Sequence, residues 1–302
     1  MNISFDITQE FDGISIKSFL RHQGISLHLW RRLKHNGVTL VNGNPVIAAI
    51  TKLKAGDRLI CRLTESSPIE PIKMELDIRY EDEFLLIVNK PTPLLVHPVT
   101  HKKPEATLAN GVTYYYQKTN QDLIFHPMHR LDRNTSGLVL IAKEPHMQSQ
   151  LTSNSGSKFH RKYIGIINGI ISPCDGVIDS PIAQKPGSII EQQVDIENGK
   201  FAQTEYKTLF TFDDKSLLEL SPVTGRTHQI RVHLASIGHP LLGDDLYGQK
   251  SNIISRQALH AYKIILIHPV TKQSLSITAP LPDDMKNILA NLPLSVKNIL
   301  PL

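Results

Sequence analysis

His126-Pro127-Met128-His129-Arg130-Leu131-Asp132-Arg133-Asn134-Thr135-Ser136-Gly137, followed at once by Leu138-Val139-Leu140-Ile141-Ala142-Lys143, is the densest signal in the chain. Charged and turn-forming residues run directly into a continuous apolar segment. The pattern predicts a buried strand over 138–142 entered through a polar turn. Asp132 stands between Arg130 and Arg133. Neighbouring positive charge favours the charged form of a carboxylate. A charged carboxylate can act as a nucleophile or a base. Taken alone, the same residues also fit a turn whose aspartate caps a helix or pairs structurally with an arginine.

A second cluster lies downstream, Val223-Thr224-Gly225-Arg226-Thr227-His228-Gln229-Ile230-Arg231-Val232-His233. If Thr227 or His228 opens a helix, its first turn offers unpaired backbone N–H groups. With Arg226 these make an anion or phosphate contact. Arg231 falls about one turn further in, where it can pair with a buried carboxylate. On its own this cluster also fits an amphipathic helix start with solvent-facing arginines.

Strands are expected at 83–89, 138–142, 163–167, 204–209, 217–221 and 261–267. Helices are expected at 108–117, near 145–151 and at 229–237. Strands and helices do not alternate one for one, so an α+β fold with a largely antiparallel sheet is expected, not a doubly wound parallel one. The 302 residues are 40% apolar, enough for packed cores.

The N-terminal stretch reads as a small unit of its own, residues 1–63. Ile16, Phe19 and Leu20 have helical spacing. Ser26 reads as an N-cap before Leu27, Trp30 and Leu33, and Gly37 as the terminating glycine. That second helix carries Arg31, Arg32, Lys34 and His35. Alternating residues around Asn42-Gly43 predict a hairpin, and Gly56-Asp57 a turn into a strand over 58–63. Residues 64–75, rich in Ser, Pro and charge, read as a linker, leaving 76–302 for a larger unit.

A formal charge of +5 and a pI near 9.1 are compatible with a polyanionic partner. Two cysteines far apart indicate no disulfide framework and fit a reducing cytoplasm. No apolar run approaches bilayer length, so no membrane association is expected. Fourteen histidines are scattered without ligand spacing, so no metal is expected.

The two clusters resemble the RluA-like, large-ribosomal-RNA type of RNA pseudouridine synthase. HRLDRNTSGLVLIAK and GRTHQIRVHLASIGHPLLGDDLYG carry the resemblance, with LLIVNKP…VHP, KFHRKYIGIINGII and FAQTEYKTL in the expected order. The segment FDGISIKSFLRHQGIS…WRRLKHNGVTLVNGNPV…KAGDRL resembles the S4 RNA-binding domain, with Gly13-Ile14-Ser15 as its least matched part. The resemblance implies Asp132 as the catalytic aspartate and Arg231 as the arginine that pairs with it, through a contact that can be bidentate. It implies Tyr163 as the residue that stacks on the target ring and Arg130 as the one that helps displace it. Arg226 and His228 fall near the substrate, and Arg31, Arg32 and Lys34 on the RNA. The implied reaction needs no cofactor and no metal. The implied partner is large-subunit ribosomal RNA, with transfer RNA as the alternative, and a monomer is expected. Pro93, in Lys90-Pro91-Thr92-Pro93-Leu94, departs from the family, which has a glycine soon after Lys-Pro; the loop there cannot follow a glycine-dependent path. The other readings are a non-catalytic RNA-binding or ribosome-assembly protein, and a carboxylate-based nucleoside hydrolase.

Overall fold

The computed structural model describes residues 2–63, 69–98, 105–151, 159–293 and 300. The first part of the linker expected over 64–75 lies outside the described residues. The N-terminal unit contains β1 (Asn2–Asp6), α1 (Ile16–His22), α2 (Leu27–Asn36), β2 (Gly37–Val41), β3 (Asn44–Pro45) and β4 (Arg58–Leu63). Its sheet has the order β1-β4-β2-β3, antiparallel throughout. Ser15 and Ser26 cap the two helices, accepting from the N–H of Ser18 and Leu29 at 3.2 Å. Such a cap is worth about 1 kcal/mol. Leu29, Trp30 and Leu33 bury one face of α2 against Ile16, Phe19, Leu20 and Leu59. Each fully buried aliphatic side chain contributes about 1.5–3 kcal/mol.

The two expected turns are tied together. Asn42 and Gly43 both have positive φ, as a type I′ hairpin requires. The Asn42 amide donates to Asp57 Oδ1 at 2.8 Å and accepts from the Arg58 N–H at 2.8 Å. Gly37 ends α2 as expected, but it is extended, with φ −106°, and not in the left-handed region. Glycine is needed there for space. A Cβ would lie 2.6 Å from Leu33 Cδ1 and 2.8 Å from the Arg62 carbonyl.

The larger unit is built on a ten-stranded sheet. In chain order its elements are β5 (Asp77–Glu81), β6 (Leu85–Lys90), α3 (Leu108–Lys118), β7 (His126–Pro127), β8 (Ser136–Ala142), α4 (Pro145–Leu151), β9 (Phe159–Asn168) and β10 (Asp175–Asp179). Then follow β11 (Ile182–Gln184), β12 (Gln192–Val194), β13 (Gln203–Phe212), β14 (Lys215–Pro222), α5 (Gln229–Ser236), β15 (Leu259–Ile267), β16 (Ser274–Thr278) and α6 (Asp283–Ile288). The sheet runs β10-β13-β14-β9-β15-β8-β6-β5, with β16 on β15 and β7 on β8. β8 and β15 pair in parallel, and the other pairings in this sheet are antiparallel. The fold is α+β, as the sequence predicts. β11 and β12 form a separate hairpin.

Every residue of β8 is buried, which explains its continuous apolar sequence. Alternate residues of the central strands serve two cores. Leu86, Val88, Val139 and Ile141 face one, with α3 and α5, whereas Leu85, Ile87, Leu138 and Leu140 face the other, with Phe159. No helix among the described residues is long and apolar enough to cross a membrane.

The polar turn before β8 is clamped from below. The Lys90 ammonium is buried and donates to the carbonyls of Pro91 (3.1 Å), Leu94 (2.7 Å) and Arg133 (3.3 Å). The Thr92–Pro93 bond is cis, and the Leu94 N–H also donates to the Arg133 carbonyl, at 3.0 Å. So the Pro93 loop, without a glycine, still meets the Asp132 turn. Arg256 is held on both teeth by Asp284 of α6 and reaches the Asn134 carbonyl at 3.3 Å. Gln257 donates to Thr135 Oγ1 at 3.1 Å. Gly137 closes the turn with φ +118°, and a Cβ there would lie 2.3 Å from the Ala261 carbonyl oxygen of β15.

Gly137→Ala should therefore cost about 2–4 kcal/mol of stability, because backbone and not a movable side chain blocks the methyl group. Urea unfolding checks this, and a loss under about 0.5 kcal/mol would show that β8 and β15 can part. A second expectation concerns Lys90. Burial pushes its ammonium from 10.5 down to about 7; the Asp132 charge opposes that shift, and Arg256 and Arg133 add to it. Between those two values the folded protein has shed a proton that the unfolded chain keeps. The contribution to stability is thus complete above about pH 10.5 and lost as pH falls to about 7. The stability of the wild type relative to Lys90→Met should rise from pH 7 to pH 9, by up to about 1.4 kcal/mol per pH unit, and be flat below pH 7. A difference independent of pH would mean that Lys90 stays charged in the folded protein.

Candidate active site

A cavity of about 470 Å³ opens where the Asp132 turn, the start of β9 and the loop into α5 meet. Asp132, Arg130, Tyr163, Arg226, His228 and Arg231 all line it, so the structure gathers the six residues singled out from the two clusters and the RKY segment. Asp132 is partly exposed at 22%. Its Oδ2 lies 3.4 Å from Arg231 Nη1.

The expected bidentate contact goes elsewhere. Arg231 Nε and Nη2 bond Asp244 Oδ2 and Oδ1 at 2.7 and 2.8 Å. Asp244 has no exposed side-chain surface. The Nε–Nη2 edge of the planar guanidinium is thereby used on Asp244, and Nη1 remains for Asp132. Burial works against the charge on Arg231, but the bonds and charge of Asp244 outweigh it and hold the pKa above its usual value. Asp244 Oδ1 also accepts the N–H groups of Leu246 and Tyr247 at 3.2 Å. The Tyr247 ring covers the guanidinium, 5.0 Å from centroid to Cζ.

Asp244 and Tyr247 contact Arg231 and His228 at the cavity, and the sequence reading did not single them out. They lie in Gly243-Asp244-Asp245-Leu246-Tyr247-Gly248, where two adjacent aspartates look alike. Only the fold separates them, with Asp244 buried and Asp245 exposed.

The loop into α5 is set by a glutamine. Gln229 Oε1 accepts from the Arg226 N–H (2.9 Å) and the Thr224 hydroxyl (2.6 Å). Its Nε2 donates to the Gln203 carbonyl (2.9 Å) and Thr204 Oγ1 (3.0 Å). The helix begins at Gln229, one residue after His228. His228 sits at the N-cap position in the left-handed region, with φ 55°. Its Nε2 lies 3.9 Å from Asp132 Oδ1, and its Nδ1 lies 2.8 Å from the Tyr247 hydroxyl. Arg226 is exposed at the rim, where Nε donates to the Phe201 carbonyl at 2.9 Å.

Tyr163 is 4% exposed, and burial raises the pKa of its hydroxyl. Two strand positions earlier, Arg161 adds a cation that the sequence reading passed over. It packs 5.7 Å from the Phe159 ring and donates to the Thr224 carbonyl at 2.9 Å. Its Nε is buried without a hydrogen-bond partner among the described residues. Arg130 is exposed at the mouth. Of the histidines in the first cluster, His129 Nε2 accepts the Leu140 N–H at 3.2 Å, and burial holds it neutral.

On α2, Arg31 and Lys34 are exposed, whereas Arg32 is half-buried. Burial pushes His126 down to about 4, and the Arg32 charge adds to that shift, so Arg32 turns toward the larger unit. The two units also meet at the Ser26 N–H, which donates to Ser149 Oγ of α4 at 2.6 Å.

Comparison with known proteins identifies the family. Residues 84–236 match the family model described as RNA pseudouridylate synthase. An uncharacterized RNA pseudouridine synthase of Bacillus subtilis, YjbO, is 38% identical over 281 residues, covering 91% of this chain and 98% of that one. Ribosomal large subunit pseudouridine synthase D of Nitrosomonas europaea is 39% identical over 243 residues, covering 77% of this chain and 70% of that one. The solved structure of human RNA pseudouridylate synthase domain containing 4 aligns with a TM-score of 0.57 at 25% identity, over 71% of this chain and 92% of that one. With this match across half the chain and these relatives across most of it, the chain belongs to the RluA-like RNA pseudouridine synthases, isomerases that act on RNA.

Proposed function

We propose that this enzyme isomerises uridines of large-subunit ribosomal RNA, with Asp132 as its catalytic carboxylate. The observation that carries the proposal is the placement of Asp132. It is a partly exposed carboxylate on the wall of a cavity of about 470 Å³, held by an arginine that a buried aspartate fixes in turn. The choice of RNA rests on relatives named for the ribosomal large subunit.

The reaction breaks the N1–C1′ bond and joins C1′ to C5 of the same uracil. N1 gains a proton and C5 loses one, so the product is an isomer. A carboxylate can serve this chemistry by adding to the sugar or the base, or by assisting bond cleavage. The target base must first leave its stack, at a cost of a few kcal/mol. Tyr163 on the cavity wall supplies a stacking face, worth roughly 1–3 kcal/mol per base. Arg130 at the mouth is placed to fill the space that the base vacates, and Arg226 and His228 flank the entering nucleotide.

Residues 1–63 serve in this reading as an S4-like RNA-binding unit, joined through 64–75 to a catalytic unit over 76–302. Arg31 and Lys34 are its phosphate contacts. Arg32 contributes through the junction with the larger unit, where its charge already acts on His126.

Asp132→Asn should lower pseudouridine formation by more than about a hundredfold while RNA binding stays within a few-fold. A pseudouridine map of total RNA checks this, taken from cells lacking the gene and rescued with wild type or variant. Rescue by the variant would remove Asp132 from the catalytic role, and a lost site outside large-subunit ribosomal RNA would replace the substrate. The double variant Arg31→Gln, Lys34→Gln should weaken RNA binding and lower the slope of log K against log salt by about 0.7–0.9 per phosphate contact removed. An unchanged slope would place the RNA path away from α2.

A further inference from the structure

The four-residue turn Asp244–Tyr247 addresses Asp132 along two arms. The first runs through Arg231 to Asp132 Oδ2. The second runs through Tyr247 and His228 toward Asp132 Oδ1. We infer that Tyr247 is a positioning residue that fixes His228 with its proton on Nε2, so that an N–H donor stands beside Asp132 for a carbonyl oxygen of the uracil ring.

The argument is a count of donors. The Tyr247 hydroxyl oxygen accepts the Gln192 backbone N–H at 2.8 Å. Its own proton then needs an acceptor, and His228 Nδ1 lies 2.8 Å away. Among the described residues no other acceptor takes that proton. A neutral imidazole carries one N–H and one bare nitrogen. If Nδ1 accepts from Tyr247, the proton is on Nε2, the nitrogen that faces Asp132 across 3.9 Å. That distance is too long for a direct hydrogen bond, so the N–H is available to a third group in the cavity.

Two further observations support this assignment. Burial lowers the His228 pKa; the Asp132 charge opposes the shift and the Arg231 charge adds to it, so the ring is neutral near pH 7. The backbone of His228 is in the left-handed region at φ 55°, uncommon for a residue with a side chain and enriched at functional sites. The tyrosine is equally constrained. Its ring lies on Arg231, its N–H is bound by Asp244, and Gln192 belongs to β12 of the hairpin whose Ile182 packs with Val232 of α5.

The inference rests on the proposal that a uracil enters this cavity beside Asp132, and the test separates the two. Nitrogen NMR of the full-length protein with labelled histidine reads the tautomer without any substrate, with the His228 signals assigned by their absence in His228→Gln. The wild type should show His228 protonated on Nε2, and Tyr247→Phe should show a mixture of tautomers. In steady-state assays Tyr247→Phe should lower kcat on the order of ten- to a hundredfold, with KM for RNA within about twofold. His228→Gln places an amide N–H where Nε2–H stood, so it should keep more of kcat than His228→Asn, whose amide reaches only the Nδ1 position. Protonation of wild-type His228 on Nδ1 overturns the inference, as does an unchanged kcat in Tyr247→Phe. If Asp132→Asn is inactive and Tyr247→Phe is not impaired, the tautomer inference fails and the catalytic reading stands. An active Asp132→Asn removes the catalytic reading itself.

Discussion

The pairing of Arg231 with Asp244 is the interaction on which the rest of the site depends. Asp244 has no exposed side-chain surface and Arg231 very little, so both charges have left water. Two charge-assisted bonds at 2.7 and 2.8 Å and two backbone N–H donors compensate the carboxylate. Losing one partner of such a pair leaves an uncompensated buried charge, at about 3–5 kcal/mol. The pair also fixes direction. With the Nε–Nη2 edge of the guanidinium committed to Asp244, Nη1 points at Asp132 and cannot swing away without breaking that contact. The position of the proposed catalytic carboxylate is thus inherited from a residue with no access to the cavity.

The opposite side of the Asp132 turn is held by carbonyl acceptors. Lys90 and Arg256 donate to the carbonyls of Arg133 and Asn134, the two residues immediately after Asp132. These two basic side chains thereby stand behind a carboxylate that faces the cavity, and they hold the backbone, leaving both carboxylate oxygens free of them. Arg231 approaches one oxygen from α5 and His228 faces the other. The sheet, α5 and α6 each contribute one constraint to the turn Asp132–Thr135.

Much of this was legible in the sequence where the signal is local. The Ser26 cap, the Asn42-Gly43 turn, the apolar run Leu138–Ala142 of β8 and the start of α5 near His228 depend on neighbours within a few positions. So does the clustering of Arg130 and Asp132 on one turn. What escaped the reading depends on distant partners. Gly37 ends α2 as its place in the sequence suggests, but the reason it must be glycine, the approach of Leu33 and the Arg62 carbonyl, was not legible. The bidentate contact of Arg231 was expected on Asp132 and falls on Asp244, because burial decides which carboxylate competes best. Strands β1 and β16 alternate polar and apolar residues over only five positions, and β11 and β12 span three each, too short to stand out against loops. Lys90 was read only as part of a motif, and its role depends on a carbonyl 43 residues away.

The parallel contact of β8 with β15 sets an order of events during synthesis. Ser136 meets His260 across 124 residues of chain, and Asn134 meets Arg256 across 122. A nascent chain that has released β8 therefore carries the Asp132 motif on an unfinished edge until nearly all of the larger unit has emerged. Closing such long loops carries the entropy cost that slows folds of high contact order. The N-terminal unit has its sheet and core within its first 63 residues and can mature far earlier. The chain thus assembles its basic N-terminal surface first and the Asp132 turn last.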